Sequence, residues 1–179
     1  MKSLLACTGL LIAAATLSAQ TPAPKPPPKS PTLTESATVG GKAVTITYSS
    51  PGVKGREGKL FSKDGQIGKD PTYPVWRAGA NAATKLHTDA DLDIGGLTVP
   101  AGDYSLYVDV SDPDNWVLAV NTVAMQWGTV YDKTKDLGRV KMNMSKPGAM
   151  IENLKYSLSG GQLTLSWENH IASVPYSVK

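Results

Sequence analysis

The stretch DYSLYVDV, residues 103–110, alternates Tyr104, Leu106, Val108 and Val110 with polar or mixed neighbours. A repeat of two places those four side chains on one face of an extended chain, the mark of a strand with one buried side. The same period runs outward from it. Upstream, AVTITYS (residues 43–49) sets Val44, Ile46 and Tyr48 against Thr45, Thr47 and Ser49. Downstream, WVLAVN aligns Trp116, Leu118 and Val120. LKYSLS, LTLSW and SVPYSVK repeat the pattern through Leu154, Tyr156 and Leu158, then Leu163, Leu165 and Trp167, then Val174, Tyr176 and Val178. Between these runs stand turn signals: Gly95-Gly96, Gly160-Gly161, Pro100 with Gly102, and Pro113 within SDPDNW. No segment carries an amphipathic helical stripe. Many short strands with Gly/Pro turns predict an all-β fold, a single antiparallel β-sandwich, jelly-roll-like.

The N-terminus has a different character. Lys2 precedes an apolar run from Leu4 to Leu17, followed by Ser18-Ala19-Gln20. A positive charge, a short apolar core and a small residue before the cut predict a secretory signal peptide over residues 1–19. The run is about 14 residues long, whereas a spanning helix needs roughly 20, so no stable membrane insertion is expected after cleavage. Leu4-Leu5-Ala6-Cys7 resembles a lipoprotein box but has no apolar core ahead of it. Residues 20–33 form a proline-rich linker; residues 21–31, TPAPKPPPKSP, hold six prolines and favour an extended spacer. The expected domain is residues 34–179, about 145 residues, enough for one ordinary core. The expected location is periplasmic or secreted.

Charge and cysteine content exclude whole classes of chemistry. Cys7 is the only cysteine and leaves with the signal, so no disulfide, thiolate ligand or Cys nucleophile is available to the domain. The formal net charge of +3 falls to +2 without Lys2, and the cations are scattered. Nucleic acid is therefore not an expected partner. Two stretches lack strand pattern, residues 50–74 and 122–138, and long loops in compact β-domains often carry function.

ITYSSPGVKGR, VWRAGANAAT, GGLTVPAGDYSLY, WVLAVN, QWGTVYD and WENHIASVPY occur in an order that resembles a family of exported bacterial proteins, domain-of-unknown-function family 2911. The resemblance covers roughly residues 34–179, with VWRAGAN and VPAGDYSL its most specific blocks. It implies export and a β-sandwich, and no established activity. Residues 57–74, EGKLFSKDGQIGKDPTYP, are longer and more polar than that resemblance leads one to expect.

Within VWRAGANAAT, Trp76, Arg77 and Asn81 lie close together on a stretch that reads as a loop. An Arg fork suits carboxylates, phosphates or sugar hydroxyls, and a Trp ring can stack on a sugar face. Gly79 between them permits a positive φ or a close backbone approach. With Trp127, in the second irregular stretch, these residues make a candidate ligand-binding site. The competing reading is structural: Arg77 satisfying loop carbonyls, Asn81 closing a turn, Trp76 in the core. Glu168 and His170, at i and i+2, share a face if their strand is continuous, and form the alternative acid/base pair. With His87 they would complete a two-His, one-carboxylate set, yet the His-x-His pattern of cupin-type sites is absent, so no metal and no cofactor is expected. Asp89, Asp91 and Asp93 alternate, which predicts a solvated strand face rather than a calcium loop, because Ile94 stands where that loop needs Gly.

Three readings of function follow. The leading one is a non-enzymatic exported module that binds a carbohydrate, another polar ligand or a partner protein at Trp76, Arg77, Asn81 and Trp127. The second is a periplasmic hydrolase using Glu168 and His170, with Arg77 as an anion clamp. The third is a structural or assembly protein. No catalytic residue is assigned outright, and the sequence does not determine an oligomeric state.

Overall fold

The structure is a computed structural model that describes residues 29–179. The signal peptide expected over residues 1–19 and most of the expected linker, residues 20–33, lie outside the described residues. Two antiparallel sheets face each other. The first runs β1 (Thr32–Val39), β2 (Lys42–Ser49), β4 (Thr84–Thr88), β7 (Gly102–Asp109), β8 (Val117–Asn121), β9 (Asp136–Lys141), with the short β3 (Val75–Trp76) paired to β7. The second runs β11 (Ile151–Ser159), β12 (Gln162–Glu168), β13 (His170–Val178), β5 (Leu92–Ile94), β6 (Leu97–Val99), with β10 (Asn143–Ser145) paired to β13. The only helical turn among the described residues is a three-residue 3-10 segment, Lys133–Lys135. The all-β sandwich expected from the period of two is the observed fold.

The alternating residues build the core. Val44, Ile46, Leu86, Leu106, Val108, Leu118 and Val120 from the first sheet meet Leu154, Tyr156, Leu163, Leu165, Ala172 and Val174 from the second. Gly95-Gly96 and Gly160-Gly161 turn hairpins as expected, and so does Gly40-Gly41 between β1 and β2. All six glycines have positive φ, the conformation that tight hairpin turns demand.

Some elements depart from the sequence pattern. β1 starts at Thr32, two residues before the expected boundary, and Pro31 already accepts a bond from Ser50 N. β9 occupies the end of the stretch read as irregular. On β7 the outer-facing Tyr107 is fully buried, because the 122–135 loop brings Tyr131 over it and forms a second small core with Val75, Ala83 and Ala119. Burial pushes the Tyr107 phenol up to about 12. The three aspartates do not share a strand face. Asp89 accepts from His87 and from Ala43 N, Asp91 from Ala101 N, and Asp93 from Gly96 N. Only Asp93 lies in a strand; the turn chemistry of short carboxylates overrides the alternation.

Residues 50–74 form a chain of turns that plugs one end of the sandwich. Val53, Leu60 and Ile67 from this loop sit in the main core. Phe61, the chain's only phenylalanine, lies against Trp76, Trp116, Trp167 and His170 at centroid distances of 5.7, 4.9, 5.8 and 4.7 Å. The loop is polar in composition, yet its few apolar residues close the core at this end.

Candidate functional site

VWRAGANAAT leaves β3 and folds back on itself before β4. Its first two residues are the strand that pairs with β7. Trp76 is buried and donates its Nε1–H to Gly79 O at 3.1 Å, closing the loop. Ala78 O accepts from both Thr84 Oγ1 and Tyr156 Oη, at 3.0 and 2.9 Å. Ala78 and Asn81 take left-handed φ values of +52° and +63°, a conformation that costs non-glycine residues of order 1–3 kcal/mol and persists only where surroundings impose it. Gly79 serves by close approach: a Cβ there would lie 3.1 Å from Ser49 O and from Thr84 Oγ1.

Arg77 projects from this loop and ties three segments together. Its Nη2 pairs with the Asp70 carboxylate and its Nη1 donates to Asn81 O at 3.1 Å. The same Asn81 O accepts from Gly128 N, so the arginine joins loops 50–74, 77–83 and 122–130. Burial pushes the Asp70 carboxyl up. The bonds from Arg77 and from Thr72 N and Oγ1 outweigh that effect and hold it below the usual carboxylate range.

A cavity of about 390 Å3 opens beside this arrangement. Arg77, Gly79, Ala80 and Asn81 form one wall; Lys54, Arg56, Ile67 and Asp70 from the long loop form another; Lys29 and Ser30 close a side. Trp76 and Trp167, both buried, stack on each other at 5.7 Å and 20° and also line it. Of the residues singled out in the sequence, Trp76, Arg77 and Asn81 come together here. Trp127 does not line this cavity. It stays 57% exposed on the neighbouring loop, where the Ala82–Trp127 bridge pins its backbone. Lys29, Lys54, Arg56 and Trp167 were not found by reading the sequence for this site. The VKGR run, residues 53–56, was the available signal: two cations on a loop that also carries Gly and Pro.

Glu168 and His170 lie elsewhere. The strand is not continuous between them: Trp167 pairs with His170, so Glu168 and Asn169 are the two central residues of the β12–β13 hairpin. Glu168 is buried at φ +54°, and its Oε1 accepts from Gly58 N at 2.7 Å. Its Oε2 lies 3.4 Å from His170 Nδ1, without hydrogen-bond geometry, so that buried nitrogen has no bonded partner. The imidazole stacks on Trp116 at 5.1 Å and 16°. Burial pushes its pKa down, with Lys146 adding to that direction and Glu168 and Asp114 opposing it. His170 lines a separate cavity of about 250 Å3 with Asp114, Lys146 and Asn169. Arg77 is not among the residues of that cavity, and neither histidine belongs to a group of His, Cys, Asp and Glu side chains fit to hold a metal among the described residues. His87 is on the outer face of the first sheet, bonded to Asp103 at 2.8 Å and Asp89 at 3.1 Å.

The protein is thus a two-sheet antiparallel sandwich with a cation-rich cavity at the end that the long loop plugs. It belongs to the family described as protein of unknown function (DUF2911), whose sequence profile matches residues 30–176. No curated protein and no solved structure matches the chain.

Proposed function

We propose that this domain is an exported, non-enzymatic binding module that takes a small polar ligand of saccharide size in the cavity beside Arg77. The observation that carries the reading is convergence: a strained, tightly bonded loop, the long 50–74 loop and two stacked tryptophans meet around one cavity of about 390 Å3. That volume is within the range of ligand pockets, and a lining that mixes charged and polar residues with Trp76, Trp167 and Ile67 suits a polar ligand. Export rests on the sequence of residues 1–19 alone. The test is thermal unfolding of the mature protein with a panel of neutral and acidic mono- and disaccharides. Saturable stabilisation is expected, because a ligand bound only by the folded state stabilises it by mass action. The Ala80→Trp variant, which fills the cavity, should lose the effect. No shift from any member of the panel, or a shift that survives Ala80→Trp, rejects the reading.

A second reading is favoured by one contact, the 3.4 Å approach of Glu168 to His170 beside a cavity of its own. An imidazole next to a buried carboxylate can act as a general base. This hydrolase reading predicts turnover that disappears in His170→Gln; absence of turnover on ester and glycoside substrates removes it.

A further inference from the structure

We infer that the group recognised by the cavity is an anion, a carboxylate or phosphate ester on a small molecule, held by Arg56 with Lys54 and Lys29 rather than by Arg77. The inference rests on the reading that this cavity is the ligand site, and it names the chemistry of that ligand.

The argument begins from the unequal charges on the wall. Lys29, Lys54, Arg56 and Arg77 line the cavity, and Asp70 is the only carboxylate that does. Asp70 is paired with Arg77, so the charges of those two cancel. Arg77 also gives Nη1 to a carbonyl. The arginine that the sequence pointed to is therefore occupied by the protein itself.

Arg56 differs in kind. Its Nε donates to Val53 O at 2.9 Å, its Nη2 to Gly52 O at 2.7 Å and its Nη1 to Gln66 Oε1 at 3.1 Å. All three acceptors are neutral. They fix the orientation of the guanidinium and leave its charge uncancelled. Of the five N–H donors of an arginine, one on each terminal nitrogen stays unbonded by the protein. A donor on each terminal nitrogen is what two oxygens of one carboxylate or phosphate require. No carboxylate lies within ion-pair distance of Arg56 among the described residues.

Lys54 adds a second free charge. Its Nζ donates to the backbone oxygen of Lys29 at 3.1 Å, again a neutral acceptor. The Glu152 carboxylate accepts from the backbone nitrogen of Lys54 at 2.9 Å, makes no ion pair with its amine, and does not line the cavity. Lys29 brings a third cation to the same side. Three cations without an ion pair among the described residues, on one concave surface, concentrate positive potential there. Trp76, Trp167 and Ile67, which also line the cavity, offer apolar contact to the rest of the molecule.

The test titrates the mature protein with inorganic phosphate, D-glucuronate and D-glucose. It reads thermal midpoint and tryptophan fluorescence at about 20 and about 200 mM KCl, conditions that differ strongly in screening. Phosphate and glucuronate should bind saturably, with glucose at least about tenfold weaker, a difference of about 1.4 kcal/mol. Lys54→Gln, whose amine anchors only one backbone oxygen, should weaken both anions several-fold at low salt and glucose by clearly less. Arg56→Gln should do so more strongly. If glucose binds as tightly as glucuronate, or if the anions ignore both substitutions and the salt, the inference is overturned while the cavity remains a ligand site. If none of the three binds at either salt, the inference is overturned, and the binding reading then stands or falls on the wider saccharide panel.

Discussion

Arg77 and Asp70, seven residues apart in the chain, form an ion pair that is largely buried, with side chains 14% and 8% exposed. Removing one partner of such a pair leaves the other charge without its counterpart. We expect Arg77→Ala to lower unfolding free energy by about 2–4 kcal/mol, measured by urea denaturation at neutral pH. Asp70 sits below its ordinary pKa when folded. Its contribution is therefore complete above about pH 4 and lost as pH falls below it. The difference between wild type and Asp70→Asn should shrink in that acid window and stay constant above it.

Gly128 stands directly against this arginine. A Cβ there would lie 2.2 Å from Arg77 Cδ and 2.7 Å from Asn81 O. Gly128→Ala should displace the guanidinium and cost about 1–3 kcal/mol. Because both substitutions disrupt one contact, the Gly128→Ala, Arg77→Ala double variant should cost clearly less than the sum of the two.

Two tryptophans equal in the sequence reading separate sharply in the fold. Trp76 is 2% exposed in an aromatic cluster, and Trp127 is 57% exposed on a loop. Trp76→Ala should cost about 3–5 kcal/mol, and Trp127→Ala should stay within about 0.5 kcal/mol. Equal effects in urea denaturation would contradict this placement.

The polar segment 57–74 is expected to behave as core. Leu60 is fully buried within it. Leu60→Ala should lower stability by about 2–5 kcal/mol. A loop that merely decorates the surface would tolerate the change.

The two histidines should place a stability maximum near pH 6.5, the unperturbed imidazole pKa. Burial lowers the His170 pKa, so the unfolded chain binds the proton first. Stability from this group is full above about pH 6.5 and falls as pH drops below it. Hydrogen bonds that His87 donates to Asp103 and Asp89 raise its pKa, so its contribution is full below about pH 6.5 and is lost as pH rises through the folded value. His87 is exposed and its ion pairs are screened, so the alkaline limb should be the shallower and should flatten in salt. His170→Gln should remove the acid limb, and His87→Gln the alkaline one.

Much of the fold was legible because strand alternation is written between near neighbours. Leu106 and Val108 face inward for the same reason that Tyr107 between them faces out, and no distant contact is needed to say so. The burial of Tyr107 was not legible, since Tyr131 reaches it from a loop with no period of its own. Glu168 and His170 were read as neighbours on one strand face. They are neighbours in space, but across a two-residue turn whose first residue, Glu168, has a positive φ normally left to glycine.

The sequence by itself determined the two-faced strands, their glycine turns and the family to which the chain belongs, because each is carried by local order of residue types. Only the tertiary structure decided what the cavity is made of. Lys29, the Lys54–Arg56 pair and Arg77 come from three stretches of chain, and their signs alone do not say which are cancelled. Asp70 neutralises Arg77, and neutral acceptors orient Arg56 without neutralising it. That distinction depends on the direction of individual side chains across the end of a folded sandwich, where loops distant in sequence meet.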